Sequence, residues 1–100
     1  MPDATPQPAP PERTFARYLD SLVVVDTQGR FVYLGRLVEV TSRELVLNNV
    51  DVHDLQDATS SRDIYILDAR RHGIRENRRE VAIRLEDVLS VSRLDDVIKY

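Results

Sequence analysis

The hundred-residue chain has no cysteine and only two histidines, His53 and His72. Without cysteine there is no disulfide framework and no thiolate metal site. Two histidines alone make a zinc site unexpected, so no metal and no cofactor is anticipated. No apolar run approaches membrane-spanning length. The opening stretch MPDATPQPAPPE lacks the basic and apolar parts of a signal peptide, so the expectation is a cytoplasmic protein with no membrane association. There is no GxGxxG, Walker, GxSxG or HExxH motif. His53 and Asp54 are sequence neighbours near a strand end, where adjacent side chains point to opposite faces and make a poor catalytic dyad. No enzyme activity is anticipated.

What the chain does contain is arginine: thirteen, beside a single lysine, Lys99. The net charge is −3, which argues against bulk affinity for nucleic acid. Its distribution is uneven. Arg70, Arg71, Arg75, Arg78 and Arg79 stand against one acid, Glu76, giving this segment +4 and the rest of the chain −7. Such asymmetry is compatible with a polyanion-binding patch or with a solvated helix end and connector.

Length and composition predict one domain over residues 11–100, preceded by a proline-rich, disordered tail over residues 1–10. Pro11 suits the first position of a helix, and Phe15, Tyr18, Leu19 and Leu22 recur at helical spacing as its apolar stripe, expected to lie across one open end of a barrel. Leu22 to Val25 reads as a strand, and Asp26 to Gly29 as a turn with Gly29 free to take positive φ. Phe31 to Thr41 reads as a second strand, apolar on both faces: Val32, Leu34, Val38 and Val40 on one, Phe31, Tyr33 and Leu37 on the other. Gly35 in its middle predicts a sharp bend or a close backbone approach. The third strand, Glu44 to about His53, changes phase at Asn48-Asn49, which predicts a bulge. Residues 55–79 form an insertion. Within it a capping pattern at Thr59 to Asp63 and the glycine after Arg70, Arg71 and His72 predict a helix over about Ser61 to His72, with a strand through Ile64 to Ile66 as the alternative. Ile74 to Arg79 reads as a basic connector. Val81 to Leu85 and Val88 to Leu94 are the last two strands, turning at Leu85-Glu86-Asp87.

Helix, three strands, insertion, two strands: this order, with VVVDTQGRFVYLGRLVEV, LVLNNV and VAIRLEDVLSVSRL, resembles the Sm and Sm-like (LSm, Hfq) family, as a divergent bacterial-type member. The resemblance implies a mostly β domain, a five-stranded, strongly bent antiparallel SH3-like barrel with an N-terminal helix and a helical insertion between strands three and four. It also implies a homo-oligomeric ring, with strand four of one subunit pairing with strand five of the next. Single-stranded RNA then binds at the pore, through the turns after strands two and four. On those positions the family's Asp becomes Thr41, its stacking residue falls near Ser42 or Arg43, and its Asn becomes Glu44. Arg84 matches the family arginine, while Leu85 replaces the glycine that follows it. The span from Gly29 to Gly35 is one residue longer than usual. Candidate RNA contacts are thus Ser42, Arg43 and Arg84, with Arg70, Arg71, Arg75, Arg78 and Arg79 as a second route. The alternative is an oligomeric scaffold of the same fold that binds protein and no RNA.

Overall fold

The computed structural model describes residues 9–56 and 61–98. Most of the expected tail, and the first two residues of the expected capping pattern, lie outside them. In chain order the elements are α1 (Pro11–Thr14), β1 (Leu22–Thr27), β2 (Phe31–Val40), β3 (Glu44–Asp54), α2 (Arg62–His72), β4 (Arg78–Arg84) and β5 (Val88–Arg93). All strand pairs are antiparallel, and the sheet order is β4-β3-β2-β1-β5. Among the described residues no helix is long and apolar enough to cross a membrane.

The sheet bends where β2 crosses β3. Leu34 pairs with Asp51 and Arg36 with Asn48, so β3 carries an extra residue there, and Asn49 takes a φ of 53°. This is the bulge expected at Asn48-Asn49. Gly35 sits opposite it. A Cβ on Gly35 would lie 3.1 Å from the Asn48 carbonyl oxygen and 3.2 Å from Val50 Cγ2, so a side chain there would push its neighbours back, and the crossing favours glycine. The bulge also brings Val50 into phase with Leu45 and Leu47, and all three join one core. A second shift, between Leu37 and Glu39, makes Val38 the extra residue on β2. It turns Val40 to the side of Leu37, not to that of Val32 and Leu34 as strict alternation predicted.

Two cores result, one on each face of the sheet. Val23, Val25, Leu37, Leu45, Leu47, Val50 and Ile83 fill the barrel interior. Val24, Val32 and Leu34, on the opposite face, pack against Tyr65, Ile66 and Ala69 of α2 and against Leu94. The two-sided burial of β2 is therefore completed by the insertion helix. The N-terminal segment is shorter than its periodicity implied. α1 ends at Thr14 and a 3₁₀ turn over Ala16–Tyr18 follows. Phe15 and Tyr18 pack on the barrel core, whereas Leu19 and Leu22 are exposed. The periodicity misled because Leu22 belongs to β1.

α2 is fastened at both ends. Ser61 Oγ accepts from Ile64 N–H at 3.3 Å, a cap contributing about 1 kcal/mol. Gly73, at φ 90°, terminates the helix by donating its N–H to the Ala69 carbonyl at 2.9 Å. The Arg62 guanidinium forks onto the Asp26 carboxylate at the end of β1, with Nε to Oδ1 at 2.8 Å, and Ser90 Oγ donates to the same carboxylate at 3.0 Å. Asp26 is thus a strand residue holding the helix, not part of a four-residue turn. Gly29 in that connection keeps a negative φ. The turn is closed by Thr27 Oγ1 donating to the Phe31 carbonyl at 2.7 Å.

Gly35→Ala is expected to lower the unfolding free energy by about 1–3 kcal/mol, since the added methyl is in tight contact with the Asn48 carbonyl and Val50. Chemical denaturation of both proteins checks this. An unchanged midpoint would mean the crossing is looser than described.

Candidate nucleic-acid interface

The turn between β2 and β3 and the turn between β4 and β5 meet, although more than forty residues separate them in the chain. Leu85 N–H donates to the Arg43 carbonyl at 2.9 Å, and Glu44 pairs with Arg84 across β3 and β4. Thr41 shapes the first turn. Its N–H donates to the Glu44 carbonyl at 2.9 Å, and its Oγ1 accepts from the N–H groups of Arg43 at 3.2 Å and Glu44 at 3.0 Å. A Thr side chain that bonds the backbone two and three residues on is a local turn device. Here it leaves Ser42 and Arg43 exposed.

The two turns enclose an open cavity of about 560 Å³ lined by Ser42, Arg43, Glu44, Arg84, Leu85 and Glu86. Ser42, Arg43 and Arg84 thus share one site. Its charges are mixed. Arg84 lies 3.5 Å from Glu86, and both side chains are about three-quarters exposed, so the pair is weak and exchangeable. Arg43 makes no ion pair within 4 Å among the described residues.

The other five candidates are spread over three elements. Arg70 and Arg71 lie in the last turn of α2. Arg70 is half-buried, 4.0 Å from Asp95, with its Nε buried and without a hydrogen-bond partner among the described residues. Arg75, in the connector, lines a cavity of about 340 Å³ together with Asp51, His53, Tyr65, Asp68 and His72. Arg78 and Arg79 are the first residues of β4, so the strand begins before the end of the expected connector. β4 starts early because Asn77 templates it. Asn77 N–H donates to the Val50 carbonyl at 2.8 Å, and its side-chain amide pairs with both backbone groups of Val52, at 3.0 and 3.1 Å.

A group that sequence reading passed over lies under α2. The His53 and Tyr65 rings stack with centroids 3.6 Å apart, and the Tyr65 hydroxyl donates to Asp51 at 2.5 Å. Asp51 also accepts from Asn77 Nδ2 at 3.1 Å. The only cue in the sequence was aromatic: Tyr65 lies on the helix face shared with Ile66 and Ala69. Burial, then the hydrogen bond to and the charge of Asp51, raise the Tyr65 phenol pKa well above its usual 10.0. Tyr33, in the barrel mouth, is raised by burial and then by the charge of Asp87.

No family model matches this chain, and no curated protein does. Among solved structures, the Sm protein of Pyrococcus abyssii, determined in complex with a uridine heptamer, superposes with a TM-score of 0.55. The match covers 85% of this chain and 99% of that one, at 20% sequence identity. The fold is the Sm fold. In this chain the Sm fold comprises the five strands, the short N-terminal helix and α2, placed between strands three and four.

The two raised tyrosines give a pH dependence of stability. In the unfolded chain both phenols lose their protons near 10.0, while the folded chain retains them to higher pH. The folded state then binds more protons than the unfolded one, so their stabilisation is intact below pH 10 and is lost as pH rises above it. Tyr65→Phe is expected to flatten this alkaline decline without abolishing it, because Tyr33 remains. Denaturation midpoints between pH 8 and 11.5 check the slope, and identical slopes would contradict the assignment.

Proposed function

We propose that this chain is a non-enzymatic Sm-fold subunit that assembles head to tail into a ring and binds single-stranded RNA through its paired turns. The observation that carries the RNA reading is the shared cavity in which Arg43 and Arg84 stand together. A guanidinium plane offers a base a stacking surface and offers phosphate a fork of donors. The Pyrococcus abyssii protein, captured with a uridine heptamer, supports single-stranded, uridine-rich RNA as the ligand class. Around a ring the site repeats, so weak single contacts become multivalent. Arg71, Arg75, Arg78 and Arg79 are exposed and add a diffuse attraction for phosphate.

The assembly reading rests on the sheet edges. Among the described residues β4 pairs only with β3, and β5 only with β1, so each leaves one row of backbone groups unpaired. Their charges are complementary. β4 carries Arg78, Arg79 and Arg84 against one acid, Glu80, while β5, which ends in Arg93, is flanked by Glu86-Asp87 and Asp95-Asp96. Pairing β4 with β4 would set arginine against arginine, and β5 with β5 would set acid against acid. Joining β4 of one copy to β5 of the next avoids both, and such a heterologous contact closes into a ring when its rotation permits.

Glu44 and Glu86 on the same cavity favour a second reading, an oligomeric scaffold that binds protein and no RNA. The two separate in one titration. A short oligouridine should bind at low salt with an affinity that falls steeply as salt rises. Arg84→Ala should reduce the slope of log affinity against log salt by about 0.7 for each phosphate that its guanidinium no longer neutralises. Absence of binding at low salt, by a protein whose mass is that of an oligomer, selects the scaffold.

A further inference from the structure

One large apolar side chain on the free edge of β5 has no place in either core. Leu89 is 65% exposed. The cause is a bulge: Asp26 pairs with Ser90 and Thr27 with Val88, so Leu89 is the extra residue and is ejected from the alternation that turns Val88 and Val91 to the barrel interior. An exposed leucine on an unpaired edge is a liability unless something covers it.

The gap that separates the end of β4 from the start of β5 has a matching deficit. Between the end of β4 and the β1–β2 hairpin the barrel has an open mouth of about 390 Å³, lined by Phe31, Tyr33, Ala82, Ile83, Arg84 and Asp87. The Phe31 and Tyr33 rings, 6.5 Å apart and tilted by 47°, form one wall. Its floor is the buried Ile83. Apolar walls with one cation and one anion at the rim suit a branched aliphatic side chain carried on a strand with acidic flanks.

Resting on the head-to-tail assembly proposed above, we propose that this mouth receives Leu89 of a second copy of the chain. Strand direction supports the pairing. Leu89 is the second residue of β5, and the mouth is flanked by the last three residues of β4. Antiparallel addition of β5 to the β4 edge sets the start of one strand against the end of the other, bringing Leu89 to the mouth. Parallel addition would carry Leu89 to the Arg78–Arg79 end. The antiparallel arrangement also sets Asp87 of the incoming copy beside Arg84, and its Asp95-Asp96 beside Arg78 and Arg79. The contact fixes register as well as partner, since a slip of one residue would turn Leu89 to the other face of the sheet.

The absence of cysteine makes the test direct. Leu89→Cys is co-expressed with Ala82→Cys or, separately, with Arg84→Cys, the two chains carrying tags of different mass, and the products are mildly oxidised. Disulfide-linked heterodimers in excess of either homodimer are expected from at least one pairing. Homodimers alone, or no cross-link in a preparation with the mass of an oligomer, would overturn the proposal and leave the assembly reading standing. A monomeric mass for the unsubstituted protein overturns both. In a second arm, Leu89→Arg is expected to lower the mass in light scattering to that of a monomer, with an unchanged circular dichroism spectrum because the side chain is exposed in the single chain. A folded Leu89→Arg protein that keeps the unsubstituted mass would equally overturn the proposal.

Discussion

The close approach of β2 to β3 at Gly35 is the constraint on which the rest depends. With a side chain there, Asn48 and Val50 would have to move. With none, β3 bulges at Asn49 and the two strands bend together, so that β2 contributes Tyr33 and Leu37 to the barrel interior and Val32 and Leu34 to the outer face. One bent strand therefore demands two covers. The barrel closes over the first face. The second is covered by α2, which the Arg62–Asp26 fork ties to β1.

What is left open follows from strand pairing. Antiparallel pairing of the start of β3 with the end of β4 sets the turn after β2 against the turn after β4 and so creates the cavity that holds Arg43 and Arg84. Among the described residues β4 does not pair with β5. In a self-closed barrel those strands would pair; here both edges face outward with complementary charge. The RNA reading and the assembly reading can be separated, because the cavity is built within a single chain and the pairing of edges would join two.

Legibility from sequence followed the range of the interactions. Gly35, the bulge at Asn48-Asn49, the order of the strands and the end of α2 at Gly73 were all readable, because each is written in local residue type or short periodicity. The N-terminal stripe was not, since Leu22 satisfies helical spacing and also begins a strand, and only pairing with Arg36 decides between them. The start of β4 was missed because it is set by Asn77 bonding to Val52, a contact across 25 residues. For the site, the juxtaposition of Ser42, Arg43 and Arg84 came from a family resemblance and is reproduced in space. The clustering of five arginines in sequence, in contrast, dissolves over a helix end, a connector and a strand. The Tyr65–His53–Asp51 group left only an aromatic residue on a helix face as its cue, being assembled from a helix and a strand that pack only in the folded chain.

The measurement that bears most directly on the account is amide hydrogen exchange along β4 and β5 in the intact protein at high concentration and on dilution. If the two edges pair between copies, the outward-facing amides of Arg78–Arg84 and Val88–Arg93 are protected to the level of β1–β3 at high concentration and lose that protection as the assembly dissociates. Exchange of those amides at the rate of exposed backbone at every concentration, beside a protected β1–β3, would contradict it.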